Sequence, residues 1–234
     1  MDKPPILNEV NRQGNERLYP SLTNPNWLVL RERRRIFRRW LEEIPSSGLS
    51  VLDVGGRVQP YRALIEKRVQ RYVAVDLRCT PLVSVVARGE QLPLCDAHFD
   101  LVICTQVLEY VAQPSFVVAE IYRVLKPGGM FLLSVPSACP IDAAEECWRF
   151  LPSGLRHLLA GFSGVEVVAE GGSVAGFFRT MNACLDIFAR YPIARSVFRH
   201  SLSPLINLCG ALLDKLSGGR NQQFAVNYSV RAEK

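Results

Sequence analysis

Leu49-Ser50-Val51-Leu52-Asp53-Val54-Gly55-Gly56-Arg57 is the stretch that decides how this chain folds. An apolar, β-branched run ends in an acid and then in a glycine pair. A strand buried on both faces favours Val, Ile or Leu throughout, so the acid marks a strand that carries a carboxylate toward its C-terminal edge. In open α/β sheets that edge is where ligands bind.

Outward from this strand, the chain alternates. Pro45-Ser46-Ser47-Gly48 breaks it beforehand, and Pro60 to Lys67 reads as a short helix afterwards. Arg71–Asp76 reads as a second strand, Leu82–Ala87 as a third and Phe99–Thr105 as a fourth. Pro114 to Leu125 reads as a helix opened by its proline and stopped at Lys126-Pro127-Gly128-Gly129. Met130–Val135 is a fifth strand, Pro152–Ala160 a helix and Val165–Ala169 a sixth strand. Strands at this spacing between helical segments predict a doubly wound, Rossmann-like α/β sheet. Residues 173–220 break the rhythm as an α-helical insertion around Phe177–Tyr191 and Ile193–Leu216, interrupted by Pro192 and Pro204 and carrying Arg179, Arg190, Arg195 and Arg199. Phe224–Val230 alternates as a final strand. The expected division is 1–47, an N-terminal arm and basic helix; 48–172, the core; 173–220, the insertion; and 221–234, the last core strand.

Before the core, residues 1–25 read as a poorly ordered arm or a cover segment. From Asn26 a helix is predicted, with Trp27, Leu30, Phe37 and Leu41 at helical spacing and Ile36 and Trp40 widening the stripe. Its other face carries Arg31, Arg33, Arg34, Arg35, Arg38 and Arg39. Such a face is either simply solvated or an anion-binding surface for lipid headgroups, phosphate or RNA. No RNP-type aromatic pattern accompanies it, which ranks nucleic acid below lipid and phosphate.

Composition narrows the class. With 234 residues, 48% of them hydrophobic, the chain can bury one sizeable core. Its seven cysteines are scattered and form no CxxC pair, which argues against a disulfide framework or zinc knuckle and for a reducing compartment. Met1-Asp2-Lys3-Pro4-Pro5 does not read as a signal peptide, and no run reaches the roughly 18 apolar residues of a membrane span. These features predict a cytoplasmic protein of net charge +6, with peripheral contact at the inner face of an anionic membrane as a further reading. The histidines His98, His157 and His200 lie far apart without grouped acids, so no metal site is expected.

An acid about 20 residues beyond a glycine turn serves to hold a ribose, through both vicinal hydroxyls. Asp76 is that acid. The turn Gly55-Gly56-Arg57-Val58-Gln59-Pro60 fails the G-x-G-x-x-G spacing that a dinucleotide pyrophosphate needs. Asp53 in front of it suits a ligand bearing an ammonium group, as S-adenosyl-L-methionine does.

At this point the chain resembles a class I S-adenosyl-L-methionine-dependent methyltransferase of the small, ubiquinone-biosynthesis-like type. Val51–Gly56 resembles the first motif and Tyr72–Leu77 the ribose-binding strand. Gly89–Leu94 with Phe99–Val102 is similar to the adenine-side loop and fourth strand, and Thr105–Val111 to the segment that follows. Glu120-Ile121-Tyr122-Arg123-Val124-Leu125-Lys126-Pro127-Gly128-Gly129 is the most specific match. The resemblance spans about residues 48–170. It implies a seven-stranded sheet with the last strand antiparallel, and the cofactor S-adenosyl-L-methionine with S-adenosyl-L-homocysteine as product. Asp53, Gly55, Gly56 and Arg57 would lie at the methionine end, Asp76 and Leu77 at the ribose, Glu90, Gln91 and Leu92 beside the adenine, and Thr105 and Gln106 on the pocket floor. Arg57 and Gln59 stand where further glycines are common, Arg88 where an acid often contacts the adenine, and Tyr110 in place of a frequent histidine. Gly56 would compensate by letting the backbone turn early, and Arg57 would be placed to pair with the methionine carboxylate.

Transfer to a hydroxyl calls for a base. Glu109, Tyr110 and His157 are the candidates, with Asp142, Glu145 and Glu146 on the acceptor side. Pro136–Pro140 and Trp148-Arg149-Phe150 are expected to line the acceptor site, and the insertion to serve as a lid, a membrane face or a homodimer surface. The predicted activity is methyl transfer, chiefly to oxygen, on a small-molecule, sugar or lipid-linked acceptor. The alternative is a catalytically silent chain of the same fold that binds a partner. A nicotinamide-dependent oxidoreductase is disfavoured by the glycine spacing.

Overall fold

The computed structural model describes residues 5–44, 47–141, 143–188, 191–218 and 221–234. Asp142 and Arg190, and Pro45 and Ser46 of the predicted break, lie outside them. The elements in chain order are α1 (Pro5–Leu18), α2 (Trp27–Glu42), β1 (Leu49–Val54), β2 (Val69–Asp76), β3 (Val85–Val86), β4 (Phe99–Thr105), α3 (Pro114–Val124), β5 (Leu125–Pro136), α4 (Pro152–Leu158), β6 (Ser163–Ala169), α5 (Ser173–Phe188), α6 (Pro192–Leu216) and β7 (Asn227–Glu233). The strands form one sheet in the order β3-β2-β1-β4-β5-β7-β6. β1, β2, β3, β4 and β5 run parallel, while β7 is antiparallel to both β5 and β6. This is the predicted doubly wound architecture.

Strand alternation sends side chains to two separate layers. Leu52, Val102, Cys104, Phe131 and Leu133 join Val117, Ile121 and Val124 of α3 on one face. Val51, Leu101, Ile103 and Leu132 meet Phe37 and Trp40 of α2 on the other. Both of these aromatic rings are fully buried; each removes about 150–250 Å² from water, worth about 4–6 kcal/mol at ~25 cal/mol/Å².

Several local expectations are corrected. Pro60–Lys67 forms two 3₁₀ turns, Arg62–Leu64 and Glu66–Arg68, in place of a helix. The third strand shrinks to Val85–Val86, an edge pairing with β2 alone. The final strand lies three residues later than its alternation suggested, because its register is set by pairing Met130 with Glu233 and Pro136 with Asn227. Pro192 opens α6 as its first residue and Pro204 sits inside it, so neither divides that helix.

The arginine face of α2 also resolves. Arg35 pairs with Glu32 and Arg39 with Glu166, and Arg31 and Arg34 lie over the rings of Trp27 and Tyr19. Arg33 was expected on this face and instead points inward. It is 5% exposed, and its Nε donates to both oxygens of Glu170, at 2.9 and 3.0 Å. Glu170 also accepts from Ser134 Oγ (2.6 Å) and Ser229 Oγ (2.7 Å). Burial draws the guanidinium toward neutrality, but Glu170 and Tyr61 outweigh it and raise its pKa. One buried ion pair thus ties α2 to β5, β7 and the end of β6.

Residues 5–18 form a helix that covers the sheet edge, held outside by Arg12 between Glu9 and Glu16. Its inner side approaches the turn after β1 so closely that a Cβ on Gly14 would lie 2.4 Å from the Val58 carbonyl oxygen. Gly14→Val is therefore expected to push α1 off the core and cost about 1–3 kcal/mol, read as a fall in chemical-denaturation midpoint.

Candidate functional site

Parallel pairing aligns Asp53 with Ala74 and Val54 with Val75, so β1 and β2 end side by side with Asp53 and Asp76 at one edge. Asp53 is 3% exposed, and its Oδ2 accepts the Tyr72 hydroxyl at 2.7 Å. Burial lifts its carboxyl pKa to about 7; the Tyr72 hydrogen bond opposes the rise and Asp76 adds to it. Asp76 is half-buried and caps the following turn by accepting the Arg78 N–H at 2.8 Å.

The glycine turn works differently from expectation. Gly55, at φ +78°, takes the left-handed position, and a Cβ there would lie 2.2 Å from Val107 Cγ2. Gly56 makes no left-handed turn; a Cβ on it would lie 2.8 Å from the Asp53 side chain, so its smallness leaves room for that acid. Both amides donate to the Val75 carbonyl. Gln59 occupies the left-handed region at φ +43°, held by its side-chain bonds to the Leu82 carbonyl (2.6 Å) and Arg62 (3.1 Å). Arg57 is half-buried, with its carbonyl accepting from Thr80.

The loop expected beside the adenine is held by the motif that resembled the family most. The Leu92 amide donates to Glu120 Oε2 at 2.7 Å, and Arg123 donates to Glu120, to the Leu92 and Leu94 carbonyls and to Asp96. Leu92 is buried, Glu90 half-buried, and Gln91 and Leu77 exposed. Lys126 bonds Asp100, which also accepts the Ser50 amide, so that part of the motif joins strands.

Beyond Gln106 opens a cavity of about 380 Å³. Gln13, Glu16 and Arg17 of α1, Val29 and Arg33 of α2, and Arg179 of α5 wall one side. Gln106, Glu109, Tyr110, Pro136, Cys139, Glu146 and Asn227 supply the sheet side. Gln106 is at φ +55°, with its amide on the Ser134 carbonyl, strain of the kind that gathers at functional sites. Thr105 is half-buried just before it.

Glu109 is the unusual group in this wall. It is 1% exposed, its Oε2 has no hydrogen-bond partner among the described residues, and burial pushes its pKa up to about 7. The Arg33 charge lowers that value and Glu146 raises it. Asn227 Nδ2 is likewise buried without a partner among the described residues. A buried acceptor and a buried donor thus border the same space.

Tyr110 lines the cavity, 43% exposed, with its hydroxyl 3.4 Å from Glu146. Glu146 is in turn paired with Arg149. His157 is a correction: it lies exposed on α4 and outside the cavity wall, because α4 packs against β6 and α3. Glu145 is exposed and outside the wall too. Of the expected acceptor lining, Pro136 and Cys139 contribute, while Trp148, Arg149 and Phe150 stand outside. Gln13, Arg17, Asn26, Arg179 and Asn227 were not singled out as site residues. The Glu9-Arg12-Glu16 spacing signals α1 as a helix, but nothing local says that it covers the sheet edge.

Residues 52–133 match a family model described as a methyltransferase domain. A malonyl-[acyl-carrier protein] O-methyltransferase of Serratia marcescens is 30% identical over 125 residues, 48% of this chain and 48% of that protein. A ubiquinone biosynthesis O-methyltransferase of Pseudomonas entomophila is 28% identical over 140 residues, 49% of this chain and 59% of that one. The chain thus spans about half the length of these curated relatives. Among solved structures, a SAM-dependent methyltransferase from Archaeoglobus fulgidus superposes with a TM-score of 0.56 at 16% identity, covering 95% of this chain and 99% of that one. Phosphoethanolamine N-methyltransferase 2 of Haemonchus contortus, in complex with S-adenosyl-L-methionine, gives 0.55 at 15% identity over 95% of this chain and 59% of that one.

Proposed function

We propose that the protein, whose residues 52–133 match a methyltransferase-domain family model, transfers a methyl group from S-adenosyl-L-methionine to a hydroxyl of a small-molecule, sugar or lipid-linked acceptor. One observation carries the acceptor reading: Glu109 Oε2 and Asn227 Nδ2, both without a partner among the described residues, belong to side chains that line one cavity next to the edge that holds Asp53 and Asp76. A hydroxyl satisfies both, donating to the carboxylate and accepting from the amide.

The residues at the edge fit the cofactor. Asp53 would meet an ammonium group and Asp76 would accept from ribose hydroxyls, and the Asp53 side chain has room only because Gly56 has no Cβ. When bound, S-adenosyl-L-methionine supplies an electrophilic methyl on a sulfonium whose carbon–sulfur bond breaks toward sulfur. Glu109 takes the proton that the acceptor oxygen must lose. Asn227 and Gln106 orient the acceptor, and α1 and α2 shield the cavity from solvent. Positioning supplies much of the acceleration in such a displacement. Arg57, beside the glycine turn, is assigned to the methionine carboxylate.

A thermal-shift titration tests the cofactor site. S-adenosyl-L-methionine and S-adenosyl-L-homocysteine at about 100 times their Kd are expected to stabilise the protein by about 2.7 kcal/mol, roughly 5–10 °C, with no shift from NAD. Asp76→Ala should remove the effect. No stabilisation by either sulfur ligand would overturn the assignment.

A further inference from the structure

Helix α6 is amphipathic in the wrong sense for a helix covered only by its own chain. Its inward positions are Ser203, Asn207, Gly210 and Asp214, four and three residues apart. Ser203 and Asn207 are fully buried, and Asp214 accepts the Gly172 and Ala175 amides. Asn182 donates to Asn207, which itself donates to the Leu22 and Asn24 carbonyls. The opposite face carries Leu202, Leu205, Leu208, Leu212, Leu213 and Leu216, each between 45% and 73% exposed. Ile193 and Val197 continue the exposed apolar surface toward the helix start. After a buried Phe198, a polar seam hydrogen-bonded through Asn207 and Asp214 is turned into the protein, and a leucine stripe is turned out.

We propose that this outer face of α6 docks in the plane of an anionic lipid bilayer, its leucines in the acyl boundary. Charge selects this occupant. Near the start of α6, Arg195 and Arg199 share Asp186 of α5, at 3.8 and 2.9 Å, which leaves one net positive charge there; Lys215 adds another near its end, while its one acid, Asp214, is turned inward. Cations flanking an apolar stripe match a negatively charged surface, to which long side chains reach while leucines insert. A second copy fits worse. Two-fold pairing of the stripes sets Arg195 against Lys215 when antiparallel, and each against its own copy when parallel, with no outward acid on the helix to relieve either. No helix among the described residues is long and apolar enough to cross a membrane, so the contact is peripheral. Through Asn207 and the Asn24 carbonyl, α6 braces the loop whose Asn24 and Asn26 line the cavity. The lipid contact does not depend on the methyl-transfer reading.

Flotation of the full chain with vesicles of phosphatidylcholine, with or without phosphatidylglycerol, tests it. Co-migration is expected with the anionic vesicles at low salt. Arg195→Ser/Lys215→Ser should weaken partition about thirtyfold, from roughly fivefold per cation. Leu205→Glu/Leu212→Glu should abolish it, with melting temperature unchanged because both leucines already face solvent. Absence of co-migration at low salt, where attraction is strongest, would overturn the proposal. So would co-migration that survives the leucine substitutions, or a stable dimer in light scattering that those substitutions dissociate.

Discussion

Glu109→Gln is expected to lower kcat for a hydroxyl acceptor by about two to four orders of magnitude, leaving stabilisation by S-adenosyl-L-methionine intact. The amide preserves shape and removes the base. In the unsubstituted protein, kcat/KM should fall tenfold per pH unit below about 7, where the buried carboxyl is protonated, and the variant should lose that limb. The same substitution has a signed effect on stability. Burial raises the folded pKa of Glu109 from 4.5 to about 7, so the stability associated with its neutral form is present below about 4.5 and is lost as pH rises through about 7. The variant should therefore match the parent at pH 4 and gain on it by up to about 3 kcal/mol above pH 8. Denaturant titrations at the two pH values check this. A parallel pH profile in both proteins would remove Glu109 from the proton-transfer role. Asp53, raised to about 7, acts in the same direction on stability, so only the difference between variant and parent isolates Glu109.

Arg33→Leu is expected to be the most destabilising single change at the cavity. It leaves Glu170, fully buried, without its counter-charge, supported only by the hydroxyls of Ser134 and Ser229. Breaking a buried pair in this way costs about 3–5 kcal/mol, a large share of the roughly 5–15 kcal/mol that holds a domain together. Melting temperature should fall by about 6–20 °C. Adding Glu170→Gln should recover part of the loss, because the uncompensated charge is then gone while the hydroxyls keep a partner. A double-mutant cycle by denaturant titration measures the coupling; a loss under 1 kcal/mol would mean that the pair does not brace α2 against the sheet.

These two predictions fall on opposite sides of what could be read from residue order. The strand β4 is legible to the residue, since Phe99–Thr105 is apolar and β-branched apart from Asp100 and follows a polar break at Cys95–His98. The edge proposed to hold the cofactor is legible as structure for a similar reason. Asp53 and Asp76 stand at or next to the ends of two strands that pair in parallel and finish side by side. Glu109 could be named as a candidate from its place after β4, but its burial, its raised pKa and the cavity wall it shares with residues of α1, α2 and α5 are tertiary properties. Those helices are tens of residues away in sequence. His157, a weaker candidate, lies exposed on α4 outside that wall.

Arg33 and α6 mark two limits of what was legible. In α2, Arg33 lies three, four and seven residues before Ile36, Phe37 and Trp40, so helical spacing itself places it with the buried stripe and apart from the other arginines. What the spacing does not give is its partner Glu170, 137 residues later. In α6 the leucines look like a core stripe, because sequence pattern records that a face is apolar without recording what lies against it. The chain by itself therefore determined the sheet, the acid-and-glycine edge and the family resemblance, all of which rest on local periodicity and short spacings. The tertiary structure alone decided what pairs with the buried arginine, which carboxyl is kept from water and which face of α6 is left exposed. Each of those depends on segments distant in sequence, and no local pattern encodes that.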